Sequence, residues 1–212
     1  MGERSASGVC NFKFYTGIPC LDFLVTLRGR KEERLETLQG FAALVSWCRM
    51  AEIAGSGDTR SVARVNGADG RAHVRTAIAL REALYRIFSA TTSGLPVPLD
   101  DVSSVNRVLR RGPAYCRVDL GSDGRLTKRM VTTDGPRRLL LAIAQSAVDL
   151  LTGPDAALIR ACANPKCSVI FVDRSKNQSR RWCSMARCGN LMKVTRFYQR
   201  ARAKRTTPRP SN

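Results

Sequence analysis

The most constraining feature of this 212-residue sequence is a set of four cysteines near its C-terminus. They form two pairs of equal spacing, Cys162-x4-Cys167 and Cys183-x4-Cys188, separated by fifteen residues. Each pair can supply two thiolates from one tight turn, and two such turns together make a tetrahedral metal site. Because sulfur would fill all four positions, the pattern predicts one structural Zn²⁺ ion. An iron–sulfur cluster also accepts four cysteines, although its usual spacings are shorter.

The rest of the sequence favours a metal site over disulfide bonds. The first residues, MGERSASGVCNFKFYTG, lack the long apolar run of a secretory signal. The longest nearly uncharged apolar run, residues 139–148, is too short to cross a bilayer. We therefore expect a cytoplasmic protein without a membrane partner, in which thiols stay reduced. The alternative interpretation is that the four cysteines are buried independently in the core and bind no metal.

Positive charge is concentrated around the same cysteines. The chain has 36 Lys and Arg against 17 Asp and Glu, a formal net charge of +19. From residue 160 onward, 14 basic residues face a single acid, Asp173, which leaves this segment with +13. Such an excess indicates a polyanionic partner. A solvated surface is the usual fate of a charge run, but the lack of balancing acids after Cys188 favours nucleic acid.

The sequence before the cysteines predicts a mostly helical domain. Apolar residues recur at helical spacing over residues 20–27, 35–54, 71–92 and 99–109, and Asp134 can cap a further helix that ends near residue 151. A short strand is expected in NFKFYTG, residues 11–17. Alternation over residues 114–120 and 125–131, on either side of a glycine-containing turn, predicts a β-hairpin. The isolated Cys10, Cys20, Cys48 and Cys116 are expected in the core.

A breaker cluster at residues 151–155 marks a boundary between two parts. We expect residues 1–155 to form a sensing or dimerising domain, residues 156–205 a zinc finger with a basic C-terminal helix, and residues 206–212 a disordered tail. The predicted fold class is thus α+β, a mostly helical N-terminal domain with a small antiparallel hairpin, followed by a C-terminal treble-clef-like finger.

The finger is expected to contain a knuckle, a strand over residues 168–173, a turn over residues 175–179 and a helix after the second cysteine pair. On that helix Val194, Phe197, Tyr198 and Ala201 form one stripe, and basic residues lie on an adjacent face. Trp182 is expected to pack beside the metal. The candidate nucleic-acid contacts are basic or amide side chains near or after the second pair: Arg180, Arg181, Asn190, Lys193, Arg196, Arg200 and Lys204.

Residues 160–200 resemble the CGNR-type zinc finger that ends bacterial proteins with an N-terminal ABATE domain. The resemblance rests on Cys162-Ala163-Asn164-Pro165, Cys167, residues 171–173, residues 179–185, Cys188-Gly189-Asn190 and Lys193-Val194. Residues 20–23 and 80–85 are similar to motifs of the ABATE domain. The resemblance implies four zinc-binding cysteines and a stress-linked transcription regulator. The chain departs from the family at Leu191 and Val25, where the family has a signature Arg and often an Asn.

The leading hypothesis is a zinc-dependent transcription regulator whose basic helix contacts double-stranded DNA, while the N-terminal domain binds a small-molecule effector or forms a homodimer. RNA or ribosome binding is one alternative, because basic zinc modules also serve structured RNA. A protein-interaction zinc module is another. No enzyme is expected, because the one histidine, His73, lies in a predicted helix without a partner motif, and no phosphate-binding glycine loop is present.

Overall fold

The computed structural model describes residues 12–53, 67–110, 114–120, 126–132 and 135–206. Its α-helices are α1 (Pro19–Leu24), α2 (Phe41–Met50), α3 (Gly67–Ser93), α4 (Leu99–Arg110), α5 (Gly135–Thr152) and α6 (Asn190–Thr206). Its strands are β1 (Leu27–Arg28), β2 (Leu35–Glu36), β3 (Ala114–Leu120), β4 (Leu126–Thr132), β5 (Ile159–Ala161) and β6 (Ile170–Val172). They pair consecutively as three antiparallel two-stranded sheets. The predicted α+β class, with a mostly helical body and a C-terminal four-cysteine finger, is confirmed.

Helix α3 forms the centre of the body and packs against α1, α2, α4 and α5. Its apolar stripe, which includes Leu80 and Leu84, is fully buried. Trp47 of α2 is also fully buried, and its ring lies 4.9 Å from that of Phe23 in α1. One continuous apolar core therefore joins the body's helices.

A buried arginine attaches the β1–β2 hairpin to α3. The side chain of Arg81 is 1% exposed and binds both carboxylate oxygens of Glu36 at 2.8 and 2.6 Å. It also donates to Glu82 at 2.9 Å and to the hydroxyl of Thr26 at 3.0 Å. Burial alone would raise the pKa of the Glu36 carboxyl, but the hydrogen bonds from Arg81 and from the N–H of Leu38, together with the charge of Arg81, outweigh burial and lower this pKa.

One predicted element is wrong in the described residues, and a second is wrong in its first part. Residues 12–17 form no strand, because the N–H groups of Tyr15, Thr16 and Gly17 donate to the carboxylate of Asp22 at 2.8 to 3.0 Å. Their hydrogen bonds thus close a loop over α1 instead of forming a ladder. The helix predicted over residues 35–54 begins only at Phe41, since Leu35–Glu36 pairs as β2 with β1 and Gly40 has φ 133°.

The other predicted helices and the β3–β4 hairpin are confirmed, with bounds shifted by a few residues. Cys20 and Cys48 are fully buried, as predicted, and burial raises the pKa of each thiol to about 12. Residues 1–11, including Cys10, Asp134, the turn at 121–125 and the tail from residue 207 lie outside the described residues. No helix in the part of the chain that the structure covers is long and apolar enough to cross a membrane.

The finger is joined to the body through its hairpin. After α5 the chain makes a 3₁₀ turn, Pro154–Leu158, and enters β5. Strand β5 pairs with β6, and Ile159, Ile170 and Val172 of this pair belong to the body's apolar core. The predicted boundary between residues 155 and 156 falls inside the 3₁₀ turn, and the domain limits stay predictions. The metal module is thus built on strands whose apolar faces the body buries.

Candidate metal centre and nucleic-acid interface

The four cysteines of the sequence pattern converge on one point. Their sulfur atoms all lie within 4.8 Å of one another. The Sγ atoms of Cys167 and Cys183 are 3.8 Å apart, and those of Cys183 and Cys188 are 3.7 Å apart. A tetrahedron with Zn–S bonds of about 2.3 Å has edges of about 3.8 Å. The cluster therefore has the dimensions and the donor set of a four-thiolate zinc site.

Short backbone hydrogen bonds position each cysteine pair. The N–H of Cys162, directly after β5, donates to the carbonyl of Val169, and that of Cys167 donates to the carbonyl of Asn164. In the second pair, Cys183 precedes a π-helical turn, Met185–Gly189, and Cys188 lies within this turn, which leads into α6. The two halves are joined where the N–H of Ala163 donates to the carbonyl of Arg181 at 2.9 Å. Each pair thus sits in a hydrogen-bonded turn, as the spacing predicted.

The sulfur atoms also receive hydrogen bonds from neighbouring N–H groups. The side-chain amide of buried Asn164 donates to Sγ of Cys188 at 3.4 Å, and its oxygen accepts from the N–H of Lys166 at 3.1 Å. The N–H of Cys183 donates to Sγ of Cys162 at 3.5 Å. Such bonds stabilise thiolates and orient them toward the metal. Asn164 is a functional residue whose role the sequence pattern alone did not show.

The thiols influence one another's ionisation. Hydrogen bonds from Cys167 and Cys183 lower the pKa of Cys162. Hydrogen bonding to Cys162 raises the pKa of Cys183, and it raises the pKa of Cys167 to about 11. Protons retained by these sulfurs must leave when a metal binds, because only thiolates are strong ligands. Metal uptake at this site therefore releases protons.

Gly189 lies close to two side chains next to the fourth cysteine. A Cβ atom at this position would lie 2.8 Å from Sδ of Met185 and 3.2 Å from Cδ1 of Trp182. Trp182 itself packs against the apolar surroundings of the cysteines, which confirms its predicted packing role. A side chain at this position would have to displace the exposed end of Met185 and would press on the ring of Trp182.

Asp173, the one acid of the cationic segment, organises the link between the two cysteine pairs. Its buried carboxylate accepts from the N–H and the hydroxyl of Ser175 at 3.0 and 2.6 Å, and from the N–H of Arg180 at 2.8 Å. The hydrogen bonds from Ser175, together with that from Arg180, lower the pKa of this carboxyl. Asp173 therefore fixes the turn over residues 175–179 that the sequence predicted.

The two arginines before Cys183 have different surroundings. The guanidinium of Arg180 donates to the carbonyl groups of Trp182 and Cys183 and lies 4.6 Å from the ring centroid of Phe171. Arg181 is exposed, with its guanidinium 5.3 Å from the ring centroid of Trp182. Both residues are exposed, but Arg180 stabilises the finger's backbone through its hydrogen bonds, whereas the guanidinium of Arg181 lies over Trp182 beside the metal site. Contacts of either residue with nucleic acid stay predictions.

The remaining predicted contacts lie on α6. Lys193, Arg196 and Arg200 are exposed, and no carboxylate in the described residues pairs with them. Asn190 is exposed at the first turn, where its amide donates to the carbonyl of Ala186 at 3.4 Å. Lys204 lies in the last turns of the same helix. Because α6 follows Cys188 directly, a metal bound there fixes the base of this cationic helix.

A cleft separates the finger from the body beside the metal site. It has a volume of about 660 Å³, and its lining includes Arg28, Arg34, Lys166, Cys167 and Arg187. Two contacts bridge its sides. Lys166 pairs with Glu32 at 2.8 Å, and the guanidinium of Arg187 lies 4.7 Å from the ring centroid of Tyr15. The cleft thus places basic side chains of both parts around one cavity.

Comparison with known families accounts for both parts of the chain. The ABATE family, described as "Putative stress-induced transcription regulator", matches residues 17–154. The CGNR zinc finger matches residues 159–201, which include all four clustered cysteines. A search of curated proteins found none that matches. The ABATE match covers more than half of the sequence, so the chain belongs to the ABATE family and carries a C-terminal CGNR zinc finger whose four cysteines fit one structural zinc ion.

Proposed function

We propose that this protein is a cytoplasmic transcription regulator that binds DNA through α6. The observation that carries the proposal is the position of three exposed cations, Lys193, Arg196 and Arg200, on a helix without any acidic residue. That helix starts immediately after the fourth cysteine of the zinc finger. A metal-anchored helix with unpaired positive charge is suited to phosphate contacts.

The zinc ion would act here through rigidity and not through chemistry. Four thiolates around Zn²⁺ leave no open coordination position for a substrate or water. Bound zinc connects the turn at Cys162 and Cys167 to the turn at Cys183 and Cys188, so α6 is held in one direction relative to the hairpin. The basic side chains are then ordered before the partner arrives, which lowers the entropic cost of binding.

The cleft between finger and body is the site where we place a small-molecule effector. Its lining has four basic residues (Arg28, Arg34, Lys166 and Arg187) against two acidic ones (Glu32 and Glu33), and this excess of positive charge suits an anionic ligand. A ligand there would contact the body and the residues around the metal at once, so its binding can change the position of α6.

A homodimer stays a prediction of the sequence, as does the absence of enzymatic activity. His73 is engaged within α3, where its Nδ1 lies 2.8 Å from the carbonyl oxygen of Asp69.

The proposal is tested by the salt dependence of DNA binding. Zinc-loaded protein should bind mixed-sequence duplex DNA in fluorescence anisotropy, and six to eight phosphate contacts predict a log–log salt slope of roughly −5 to −7. Replacing three phosphate contacts by glutamine should reduce that slope by about 3. The variant to use is Lys193→Gln/Arg196→Gln/Arg200→Gln.

A matched control removes the same charge from the body. Arg49, Arg75 and Arg107 are exposed on α2, α3 and α4, and their triple glutamine variant should bind DNA with nearly the wild-type slope. If the wild-type affinity is almost constant between about 50 and 200 mM salt, phosphate contacts do not drive binding and the proposal is wrong. Equal effects of the two triple variants would show that only overall charge matters, which would also contradict it.

A further inference from the structure

Helix α6 also carries a row of large apolar side chains that the fold leaves uncovered. The exposed fractions are 51% for Leu191, 53% for Val194, 68% for Phe197 and 67% for Tyr198. None of the four belongs to either of the buried apolar clusters of the described residues. Two adjacent aromatic rings with this exposure are unusual on a charged helix, where burying them in the core would stabilise the fold.

The two rings contact each other. Phe197 and Tyr198 pack edge to face, with centroids 5.7 Å apart and planes at 76°. This geometry restricts the two side chains and leaves most of each ring's surface open. Arg196 precedes the pair, and Lys193 and Arg200 lie within one turn on either side of it. Aromatic surface and positive charge are therefore interleaved on one exposed helix.

The charge of the helix identifies the kind of partner. The sequence of α6, NLMKVTRFYQRARAKRT, has six Lys and Arg and no acid. Pairing this face with the same face of a second copy would bring two strongly cationic helices together, which electrostatic repulsion opposes. A nucleic acid has phosphates that can pair with the cations and flat bases that can stack on the rings.

We propose that Phe197 and Tyr198 form a stacking surface for unpaired bases, so that α6 binds single-stranded or locally opened nucleic acid more tightly than a closed duplex. This proposal rests on the proposed nucleic-acid function and names the form of the partner. In a closed duplex the faces of the bases are covered by their neighbours, and only edges and phosphates are accessible. In a single strand every base presents a face, while the phosphates remain within reach of Lys193, Arg196 and Arg200.

The test compares one mixed-sequence DNA strand with its own duplex at a fixed salt concentration. Wild-type protein should bind the single strand more tightly. The variant Phe197→Ala/Tyr198→Ala should bind the strand at least about tenfold more weakly, because each lost stack changes affinity by a factor of about 5 or more. Its salt slope should not change, since no charge is removed.

Two controls separate stacking from apolar contact and from misfolding. Phe197→Trp/Tyr198→Trp keeps flat rings and should retain strand binding, whereas Val194→Ala removes apolar surface without a ring and should have little effect. Because all three positions are exposed, zinc content and melting temperature should equal those of the wild type. If the alanine variant keeps its zinc but loses binding of single-stranded DNA, the loss can be attributed to the two rings.

The outcomes distinguish this proposal from the one on which it rests. Tighter binding of duplex than of strand, or an alanine variant within about threefold of wild type, would overturn the stacking proposal while leaving nucleic-acid binding in place. Failure of the wild type to bind either form at low salt would overturn both. Concentration-dependent dimerisation by light scattering that disappears in the alanine variant would show that the rings contact a second copy, which also overturns stacking.

Discussion

Asn164→Ala should weaken zinc binding although residue 164 is not a metal ligand. The Asn164 amide donates to Sγ of Cys188 at 3.4 Å and is buried, so its loss leaves a thiolate without a hydrogen-bond donor. Hydrogen bonds to charged groups contribute about 1.5 to 3 kcal/mol. At about 1.4 kcal/mol for each factor of ten, this corresponds to a loss of zinc affinity of roughly 10- to 100-fold. The same range is typical for residues that support metal ligands.

The assay is competition for zinc between the reduced protein and a chromophoric chelator of known affinity. Asn164→Asp should weaken zinc binding further, because a carboxylate can still accept from the N–H of Lys166 but places a negative charge beside the thiolates. The matched control is Asn190→Ala. Asn190 is exposed and donates only to a backbone carbonyl, that of Ala186, among the described residues.

The reasoning would be refuted if Asn164→Ala bound zinc within about threefold of the wild type. It would also be refuted if Asn190→Ala lost as much affinity, because the effect would then not depend on the bond to Cys188. A pure stability defect is excluded by measuring the urea midpoint of each zinc-loaded variant. Zinc affinity should fall without a matching loss of stability in the body, whose core does not contain residue 164.

Three further predictions concern the metal cluster and the body. Cys183→Ser should fail to retain one zinc ion per chain in elemental analysis, whereas Cys48→Ser, at a buried thiol outside the cluster, should retain it. Arg81→Met should lower the free energy of unfolding by about 2 to 4 kcal/mol in urea titrations. This range is lower than that for a fully buried ion pair, because the partner carboxylates are about one-third exposed. Arg81 lowers the pKa of Glu36 below its ordinary value of 4.5. The difference in free energy of unfolding between wild type and Arg81→Met should therefore have its full value above pH 4.5 and should decrease as the pH falls below it. Chelation should accelerate tryptic cleavage within residues 174–206 before the body is cut, and unchanged digestion of zinc-free protein would contradict the anchoring role of the metal.

The elements that the sequence predicted correctly are those whose signals are local. The long helix around Leu80 and Leu84 follows from a repeated apolar stripe, and the cysteine cluster follows from two equal spacings. The parts that were predicted wrongly depend on side chains outside the segment concerned. Residues 12–17 alternate like a strand, but the carboxylate of Asp22 takes their N–H groups. Leu35–Glu36 fits a helical stripe, but Glu36 is held in a strand pair by Arg81 of α3.

The candidate site also has features that the sequence predicts and features that only the fold shows. The ligands were predictable because thiolate chemistry restricts a zinc site to few residue types and spacings. The separate roles of Arg180 and Arg181 were not, because both look like free cations in the sequence. Only the fold shows that the guanidinium of Arg180 bonds to the carbonyls of Trp182 and Cys183, while that of Arg181 lies over the ring of Trp182. In the sequence, the rings of α6 belong to a helical stripe of the kind that a core often covers, and only the structure shows that they are exposed.

The arrangement of the finger indicates where the energy of zinc binding is used. Strands β5 and β6 carry the first cysteine pair, and their apolar side chains belong to the body's core, so this half has support that does not depend on metal. The second pair lies outside that core and is linked to the first half by hydrogen bonds of Ala163 and Asp173 to residues 180–181, while α6 contacts chiefly the π-helical turn that contains Cys188. Zinc joins the half that belongs to the body's core to the half that carries α6. Its binding energy therefore acts mainly on the direction of α6, and loss of the metal should abolish binding by α6 well before it unfolds the body.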